Sequence, residues 1–412
     1  MHNCCIGGMT MNAVGIDVSK GKSMIAVMRP GKETVIEPFE IGHTDSELID
    51  LAKLIKSLDG ETRAVMEATG NYHVPVAWML HDAGIYVSVV NPMLIHNYGN
   101  NTIRKGKTDK KDAKKIANYA LDNWTELPQY FPEEDVRMML KNCYRQYEHF
   151  SKLQTMMKNN LISLLDVTFP DANKLFSSPR RADGSEKWLD FLATFWHCQC
   201  VCGLSVQAFT RKYQRWCKKH KYNFREEKAF DIYASACGHI CVMPKTETTE
   251  LLITQAVNQL QTIAKTLTAL QKQMHELATS LPEYPVVMQM YGVGPVLGPQ
   301  LMAEIGDVRR FHSKKALVAF AGIDAPPYQS GTIDVRSRSI SKRGSSSLRR
   351  TVFLVMGVIL QHSPVDEPVY QFMDRKRAEG KPYKVYMMAS ANKFLRIYYA
   401  TVKAYLDALE AK

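Results

Sequence analysis

The chain has 412 residues, and its 53 lysines and arginines against 41 aspartates and glutamates give a formal net charge of +12. Hydrophobic residues make up 45% and charged residues 23%, which is typical of a folded globular protein and excludes a fibre or a wholly disordered chain. The longest apolar stretch, residues 352–360, is about half of the ~20 residues needed to cross a bilayer, so we expect no membrane anchor.

The first residues show neither a secretory leader nor a regular pattern. We therefore expect a cytoplasmic protein whose nine cysteines are mostly thiols, and we place residues 1–10 outside the fold. From residue 11 onward, short β-rich runs at 13–18, 23–28 and 34–41 are separated by turn sequences and predict three strands.

The first predicted domain, residues 11–130, continues with alternating helices and strands. A helix is expected up to residue 58, a strand at 63–67, a helix at 76–82 and a strand at 86–90. The order β-β-β-α-β-α-β followed by a basic helix is that of the ribonuclease H-like α/β fold. This order alone is a weak indication, because many α/β domains begin in a similar way.

Four acidic residues of this domain form a candidate catalytic and metal site. Asp17 lies inside an apolar strand and Glu67 ends another, where burial of an unpaired carboxylate is costly. Asp109 and Asp112 have the i, i+3 spacing that puts both on one face of a helix. If they converge, their oxygens suit two Mg²⁺ ions, with Mn²⁺ as a substitute, in phosphodiester chemistry. The alternative is one capping glutamate and surface aspartates.

Basic residues are concentrated in three blocks, at 104–115, 211–228 and 309–350. Such runs are usually solvated faces, but three of them with interleaved aromatic residues favour a polyphosphate partner, either DNA or RNA. The cations selected as candidate nucleic-acid contacts are Arg104, Lys105, Lys107, Arg336, Arg338, Lys342, Arg343, Arg349 and Arg350.

The middle region, residues 131–284, is predicted to be helical. Apolar residues recur at three- and four-residue steps over 136–165 and 250–277, which predicts a coiled-coil hairpin, a dimer contact or two helices of a bundle. Between them lies an insert at 166–245, rich in cysteine and histidine. Its C-x-C-x-C run alternates like a strand and lacks zinc-ribbon spacing, so a buried core is favoured over a zinc site.

The C-terminal region, residues 285–412, is expected to be mostly α-helical. Gly292 and Gly294 lie in a turn between two helices, where backbone amides approach a phosphate in a helix-hairpin-helix motif; a plain tight turn is the alternative. The tract 328–350 lacks apolar periodicity until Leu348 and carries seven serines, among which chemistry alone does not choose. They are Ser330, Ser337, Ser339, Ser341, Ser345, Ser346 and Ser347.

Several motifs together resemble the DEDD transposases of the insertion-sequence-one-hundred-and-ten family, RNA-guided bridge recombinases related to the pilin-gene invertases. The resemblance covers roughly 250 residues, which makes it far more specific than any single motif. In the first domain it rests on GIDVSK at 15–20, EATGNY at 67–72 and KTDKKDA at 107–113. In the second half it rests on YGVGPVLG at 291–298, AEIGD at 303–307, Phe311, AFAGI at 319–323, QSG at 329–331, ISKRG at 340–344 and LRR at 348–350.

The resemblance implies a function and a mechanism. It implies a RuvC-like first domain and a bacterial DNA transposase that excises and inserts its own element, guided by a structured noncoding RNA. It implies that Ser330 attacks DNA to form a phosphoserine linkage, although Gln329 stands where the family often has a second serine. It also implies a homo-oligomer, a dimer or tetramer, in which the acidic site of one protomer completes the serine site of another. The long insert departs from the family's compact form.

Three other functions are weighed against recombination. A metal-dependent junction-resolving nuclease would cleave with water and would not rejoin DNA. A site-specific invertase would rejoin DNA without an RNA guide. A DNA- or RNA-binding scaffold would need no clustered carboxylates such as Asp17, Glu67, Asp109 and Asp112.

Overall fold

The computed structural model describes residues 10–98, 108–326 and 339–411, together with the backbone of 329–330 and 333–334. The chain divides into two compact units, with the division after Glu133. The second unit therefore contains both regions that the sequence analysis separates at residue 284.

The first unit is a mixed β-sheet covered by helices. Five strands lie in the order β3-β2-β1-β4-β5, with β1, β2 and β3 antiparallel and β1, β4 and β5 parallel. The order from β1 to β5 is the one predicted from the sequence, and the short helix α3 before the basic helix α4 was not predicted. The elements are β1 (Met11–Ser19), β2 (Lys22–Arg29), β3 (Glu33–Gly42), α1 (Asp45–Lys56), β4 (Glu61–Glu67), α2 (His73–Asp82), β5 (Tyr86–Val90), α3 (Pro92–Asn97) and α4 (Asp109–Asp122).

The two faces of this sheet have separate apolar cores because side chains alternate along a strand. Val14 and Ile16 belong to the core that contains residues of α1 and α2. Ala13 and Val65 belong to the other core, together with Ile116 of α4. The odd-numbered positions of β1 and β4 therefore lie on the face that α4 covers.

The second unit is almost entirely helical. Its two longest helices, of 34 and 33 residues, lie side by side, as the predicted hairpin requires. Supercoiling of the coiled-coil type stays a prediction. The elements are α5 (Asp135–Thr168), α6 (Lys187–Leu192), α7 (Gln199–Cys202), α8 (Val206–Lys219), α9 (Glu226–Gly238), α10 (Glu247–Thr279), α11 (Tyr284–Met288), α12 (Leu297–Ile305), α13 (Lys314–Phe320), β6 (Gln329–Ser330), β7 (Ile333–Asp334), α14 (Ser346–His362), α15 (Pro368–Ala378) and α16 (Tyr383–Glu410).

Two apolar cores divide the second unit. One joins helices α12–α16 to Leu140 of α5 and Met274 of α10. The other joins the insert, with helices α6–α9, to Leu161 of α5 and Ile253 of α10. The insert is therefore a helical bundle with its own core at one end of the α5–α10 pair.

The cysteine-rich part of the insert differs from the predicted strand and contains one disulfide. Residues 199–202 form the short helix α7 rather than an extended strand, because this segment packs into a helical core. Cys198 is joined to Cys241 in a disulfide, which was not predicted, while Cys143, Cys200, Cys202, Cys217 and Cys237 are free thiols, in line with the expectation of mostly thiols. Cys217 is a free thiol buried among aromatic rings, as expected of a core residue.

Candidate functional site

Asp17 and Glu67 are brought side by side by strand pairing. The parallel register of β1 and β4 ends at Ile16 opposite Met66, so Asp17 and Glu67 occupy the next positions on neighbouring strands. Both are odd-numbered and thus lie on the face covered by α4. Both are half-buried. The sequence-based condition, that these two strands are neighbours in one sheet, is met.

Helix α4 brings the other two carboxylates to the same face. Its first turn contains Asp109, which is exposed, and Asp112, which is half-buried, and Thr108 caps it by accepting a hydrogen bond from the backbone amide of Lys111 (3.3 Å). The negative charge of Asp109 helps to raise the pKa of Lys22, which follows the β1–β2 turn; the larger effect on this pKa comes from Glu40.

Gly15 is what lets α4 lie so close to the sheet. A Cβ at this position would stand 2.2 Å from the carbonyl oxygen of Ala113 and 2.5 Å from the amide nitrogen of Ala117. Any larger residue would push the helix away, and with it the turn that carries Asp109 and Asp112. Lys114 adds a contact from α4 to β3, an ion pair with Glu37 (3.0 Å).

The four carboxylates are chemically suitable ligands for a divalent cation, but in the described residues they are not arranged to enclose one. Carboxylate oxygens are the ligands that hard cations such as Mg²⁺ prefer. Across residues 10–98, 108–326 and 339–411, however, no group of three or more His, Cys, Asp or Glu side chains is arranged to hold a metal ion. The first unit thus gathers donors on one sheet face without forming a closed cage.

The second unit contains a basic groove of about 1290 Å³ between α13, α14, α15 and α16. Among the described residues that line it, Asp324 is the sole acidic side chain. Phe353 and Phe372 add aromatic surface to the walls. The cations of the basic groove are Lys315, Lys342, Arg349, Arg350, Lys384, Lys393 and Arg396.

Only some residues of this groove were predicted from the sequence. Lys342, Arg349 and Arg350 were predicted contacts, and they share the groove, while Arg343 lines a smaller adjoining cavity. Lys384, Lys393 and Arg396 of α16 were missed, since they are spread over a helix with no dense basic run. Arg104, Lys105, Lys107, Arg336 and Arg338 lie outside the described residues.

The candidate nucleophile lies at a short hairpin. Ser330 ends β6 and pairs with Ile333 of β7 in antiparallel register; its side chain lies outside the described part of the chain. Ser337 also falls outside. Ser341 donates a hydrogen bond to Asp324, which fixes the loop before α14.

Two further serines are held in a polar network at the start of α14. Ser345 caps the helix by accepting from the amide of Leu348 (3.0 Å) and donates to Glu304 (2.5 Å). Ser347 is buried, donates to Glu148 and accepts from Arg145 (2.9 Å). These contacts give both hydroxyls a structural role. Two other serines of the tract, Ser339 and Ser346, line the basic groove.

Glu304 is the most deeply buried member of this network, with 1% of its surface exposed. Arg145 donates to it at 3.0 Å. Burial raises the pKa of Glu304 above its ordinary value, although Ser345 and Arg145 act in the opposite direction. Glu304, in the AEIGD motif, thus links α12 to α14 and α5 through its hydrogen bonds with Ser345 and Arg145.

The glycines of the predicted helix-hairpin-helix turn have different environments. Gly292 has a positive φ of 78°, and a Cβ there would lie 2.9 Å from Ile359 Cγ1 of α14. A tight turn packed against α14 accounts for this glycine. Nothing lies within 4 Å of a Cβ at Gly294. Phosphate binding at this turn stays a prediction.

Comparison with known families assigns the chain. A model described as "Transposase", of the DEDD IS110 type, matches residues 14–170, and a model described as "Transposase IS116/IS110/IS902 family" matches residues 284–371. Together they cover more than half of the sequence. The chain belongs to the IS110 transposase family. It is therefore a DNA-cleaving or DNA-recombining enzyme, and residues 171–283 lie between the two matched segments.

Relatives of this transposase match it over most of their length. The "Insertion element IS110 uncharacterized 43.6 kDa protein" of Streptomyces coelicolor is 20% identical and is aligned over 95% of this chain and 93% of its own. The "Pilin gene-inverting protein" of Moraxella bovis is 24% identical, over 82% of this chain and 79% of its own.

A solved structure of Thermus thermophilus RuvC, described as "in complex with Holliday junction substrate", aligns with 29% of the transposase and 99% of its own chain, at 12% identity and a TM-score of 0.21. In the described part of the transposase, every helix is too short or too polar to cross a membrane.

Proposed function

We propose that the transposase cleaves and rejoins DNA with a carboxylate site formed by Asp17, Glu67, Asp109 and Asp112 and with Ser330 as nucleophile. The observation that supports the first half is the parallel register of β1 and β4, in which Asp17 and Glu67 occupy neighbouring positions. The second half rests on the match of QSG at 329–331 to the family's motif.

The four carboxylates would hold Mg²⁺, for which Mn²⁺ can substitute. The bound cation supplies Lewis-acid stabilisation of charge on a phosphate oxygen. Asp17 and Glu67 come from rigid strands, which fixes two donors, and α4 adds two more from a capped helix end. Because no closed cage is present in the described residues, we expect the α4 donors to adjust when the cation and DNA bind.

In the proposed reaction, Ser330 Oγ bonds to a DNA phosphorus while the bond from phosphorus to the 3′ oxygen breaks. The serine hydroxyl loses its proton, and the leaving 3′ oxygen becomes a hydroxyl. Attack by a 3′ hydroxyl reverses these steps and releases the serine, so rejoining needs no ATP. The cations of the basic groove would hold the DNA backbone through charge-assisted hydrogen bonds.

We also propose that the transposase is guided by a structured RNA and acts as a homo-oligomer. RNA pairing would supply sequence choice, since the groove presents cations suited to phosphates rather than a row of base-reading amides. In the oligomer, the carboxylates of one protomer would act with the serine of another.

DNA inversion is the second candidate function, and the Moraxella bovis relative favours it. A strand-transfer assay with purified transposase, with and without RNA transcribed from the DNA beside its gene, separates the candidates. RNA-dependent joining of two DNA molecules supports guided transposition. RNA-independent inversion of a segment supports an invertase, and cleavage without joined products points to a hydrolytic nuclease.

A further inference from the structure

Helix α8 of the insert presents a strongly basic outer face. Arg211, Lys212, Arg215, Lys218 and Lys219 are all exposed. In the described part of the chain, none of these five forms an ion pair with a carboxylate. Unneutralised cations on a rigid helix attract an anionic surface.

The inner face fixes the orientation of α8. Phe209, Tyr213 and Trp216 are buried in the core of the insert, with Tyr213 and Trp216 stacked at 5.6 Å between ring centroids. Because these residues recur at helical spacing, the cations at 211, 215 and 218 are held together on the opposite side. The face is therefore presented by a folded core rather than by a loose tail.

Further cations lie beyond the end of α8. Arg181 donates to the carbonyl oxygens of His220 and Lys221, and its guanidinium lies 3.9 Å from the ring of Tyr222. The ring of Tyr222 is also 5.0 Å from the ammonium of Lys187. The pKa of Lys187 is lowered, mainly by burial and also by the charges of Lys228, Arg181 and Arg225. Positive charge is thus crowded at this end of the insert.

The spacing of the cations suits duplex DNA. Arg211 and Lys219 are eight residues apart, which is about 12 Å along the helix axis. The major groove of B-form DNA is also about 12 Å wide. Arg211, near the middle of α8, and Lys219, at its end, can therefore reach phosphates on the two sides of that groove. The major groove of an RNA duplex is deep and narrow, which makes RNA the poorer fit.

We propose that the outer face of α8 binds duplex DNA through the phosphates that flank its major groove. The insert, of which residues 171–245 are matched by neither family model, would then be a second DNA-binding element in addition to the basic groove. This inference rests on the proposed function only in that the transposase acts on DNA.

The test compares two double charge reversals in the full chain. Arg211→Glu with Arg215→Glu changes the outer face of α8. The matched control, Lys152→Glu with Lys265→Glu, changes the net charge equally at exposed sites on α5 and α10. Affinity for a random-sequence DNA duplex and for an RNA duplex of equal length is measured over a salt series, and circular dichroism checks folding. Arg211→Gln with Arg215→Gln is a milder variant in case the reversal does not fold.

We expect the α8 variants to bind DNA at least about tenfold more weakly than the control, with a slope of log affinity against log salt smaller by ~1.8, or ~0.9 for each lost phosphate contact. Equal affinities and slopes for α8 variant and control would overturn the proposal, as would a loss seen only with RNA. A parent transposase that binds neither probe would overturn this proposal together with the proposed action on DNA, whereas a parent that binds DNA as well as its α8 variant does would overturn this proposal alone.

Discussion

Asp17 and Glu67 become neighbours because the backbones of β1 and β4 pair in parallel, whereas Lys315, Arg349 and Arg396 become neighbours because three helices pack. In the first unit, the sheet register is set by local alternation of apolar residues. In the second unit, each cation comes from a different part of the sequence. Sites made by strand pairing can be read from a sequence, and sites made by helix packing mostly cannot.

The largest effect is expected at Ser330. Ser330→Ala removes the attacking oxygen, so we expect DNA binding to persist but no covalent protein–DNA adduct and no joined product. Denaturing gels of trapped reactions and peptide mapping measure this outcome. Ser178→Ala, at an exposed loop position of the insert, is the matched control. An adduct on another serine would move the nucleophile, and recombination without any adduct would refute the serine mechanism.

The carboxylate site is tested by Asp112→Asn. Loss of a hard ligand removes several kcal/mol of charge stabilisation, so we expect strand cleavage to fall by about 1,000-fold or more while DNA affinity changes little. EDTA should have the same effect, and added Mn²⁺ should restore cleavage by the parent chain. Asp50→Asn, at an exposed position of α1 paired with Lys53, is the control. Full cleavage by Asp112→Asn or in EDTA would contradict a metal site.

The basic groove is tested by two pairs of substitutions. Lys315→Ala with Arg396→Ala removes two groove cations, whereas Lys314→Ala with Lys403→Ala removes two cations of the same helices that do not line it. We expect only the first pair to weaken DNA binding and to lower the salt slope by ~1.8. Titration by fluorescence anisotropy measures both quantities. Similar losses in the two pairs would mean that the groove is not the binding surface.

The network beneath the groove is tested by stability. Ser345→Ala removes the cap of α14 and the hydroxyl that donates to Glu304, so we expect a loss of about 1–2 kcal/mol in the free energy of unfolding. Ser346→Ala, at the next and exposed residue, should change it by less than about 0.5 kcal/mol. Denaturant titration compares them. Because of this cap, Ser345→Ala is an unsuitable control for the nucleophile assay.

The smallest expected effect is a pH dependence at Glu304. Its pKa is raised in the fold, so the folded state binds the proton more tightly than the unfolded state does. The contribution of Glu304 to stability therefore falls as the pH rises above its ordinary pKa of 4.5. Glu304→Gln should lose this dependence. Melting temperatures of both proteins between about pH 4 and about pH 7 test it, and parallel curves would contradict the assignment.

Local patterns were enough to predict the order of elements in the first unit. Alternating apolar residues and turn sequences predicted β1 to β5, and helical periodicity predicted α5 and α10, because both signals depend on near neighbours in the chain. The same reasoning failed at 198–202, where alternating cysteines imitate a strand but pack into a helical bundle. It also missed the pairing of Cys198 with Cys241, which are 43 residues apart.

The sequence by itself determined the family and the α/β and helical divisions, and it selected the four carboxylates as candidates, because motifs and periodicity are properties of short segments. Only the tertiary structure decided that Lys384, Lys393 and Arg396 of α16 line the basic groove. It also decided that Ser345 donates a hydrogen bond to Glu304 and Ser347 to Glu148. These groups meet because helices far apart in the chain bury their apolar faces against one another. That burial is driven by non-directional hydrophobic contact, which leaves no local signal of which polar side chains will be brought together.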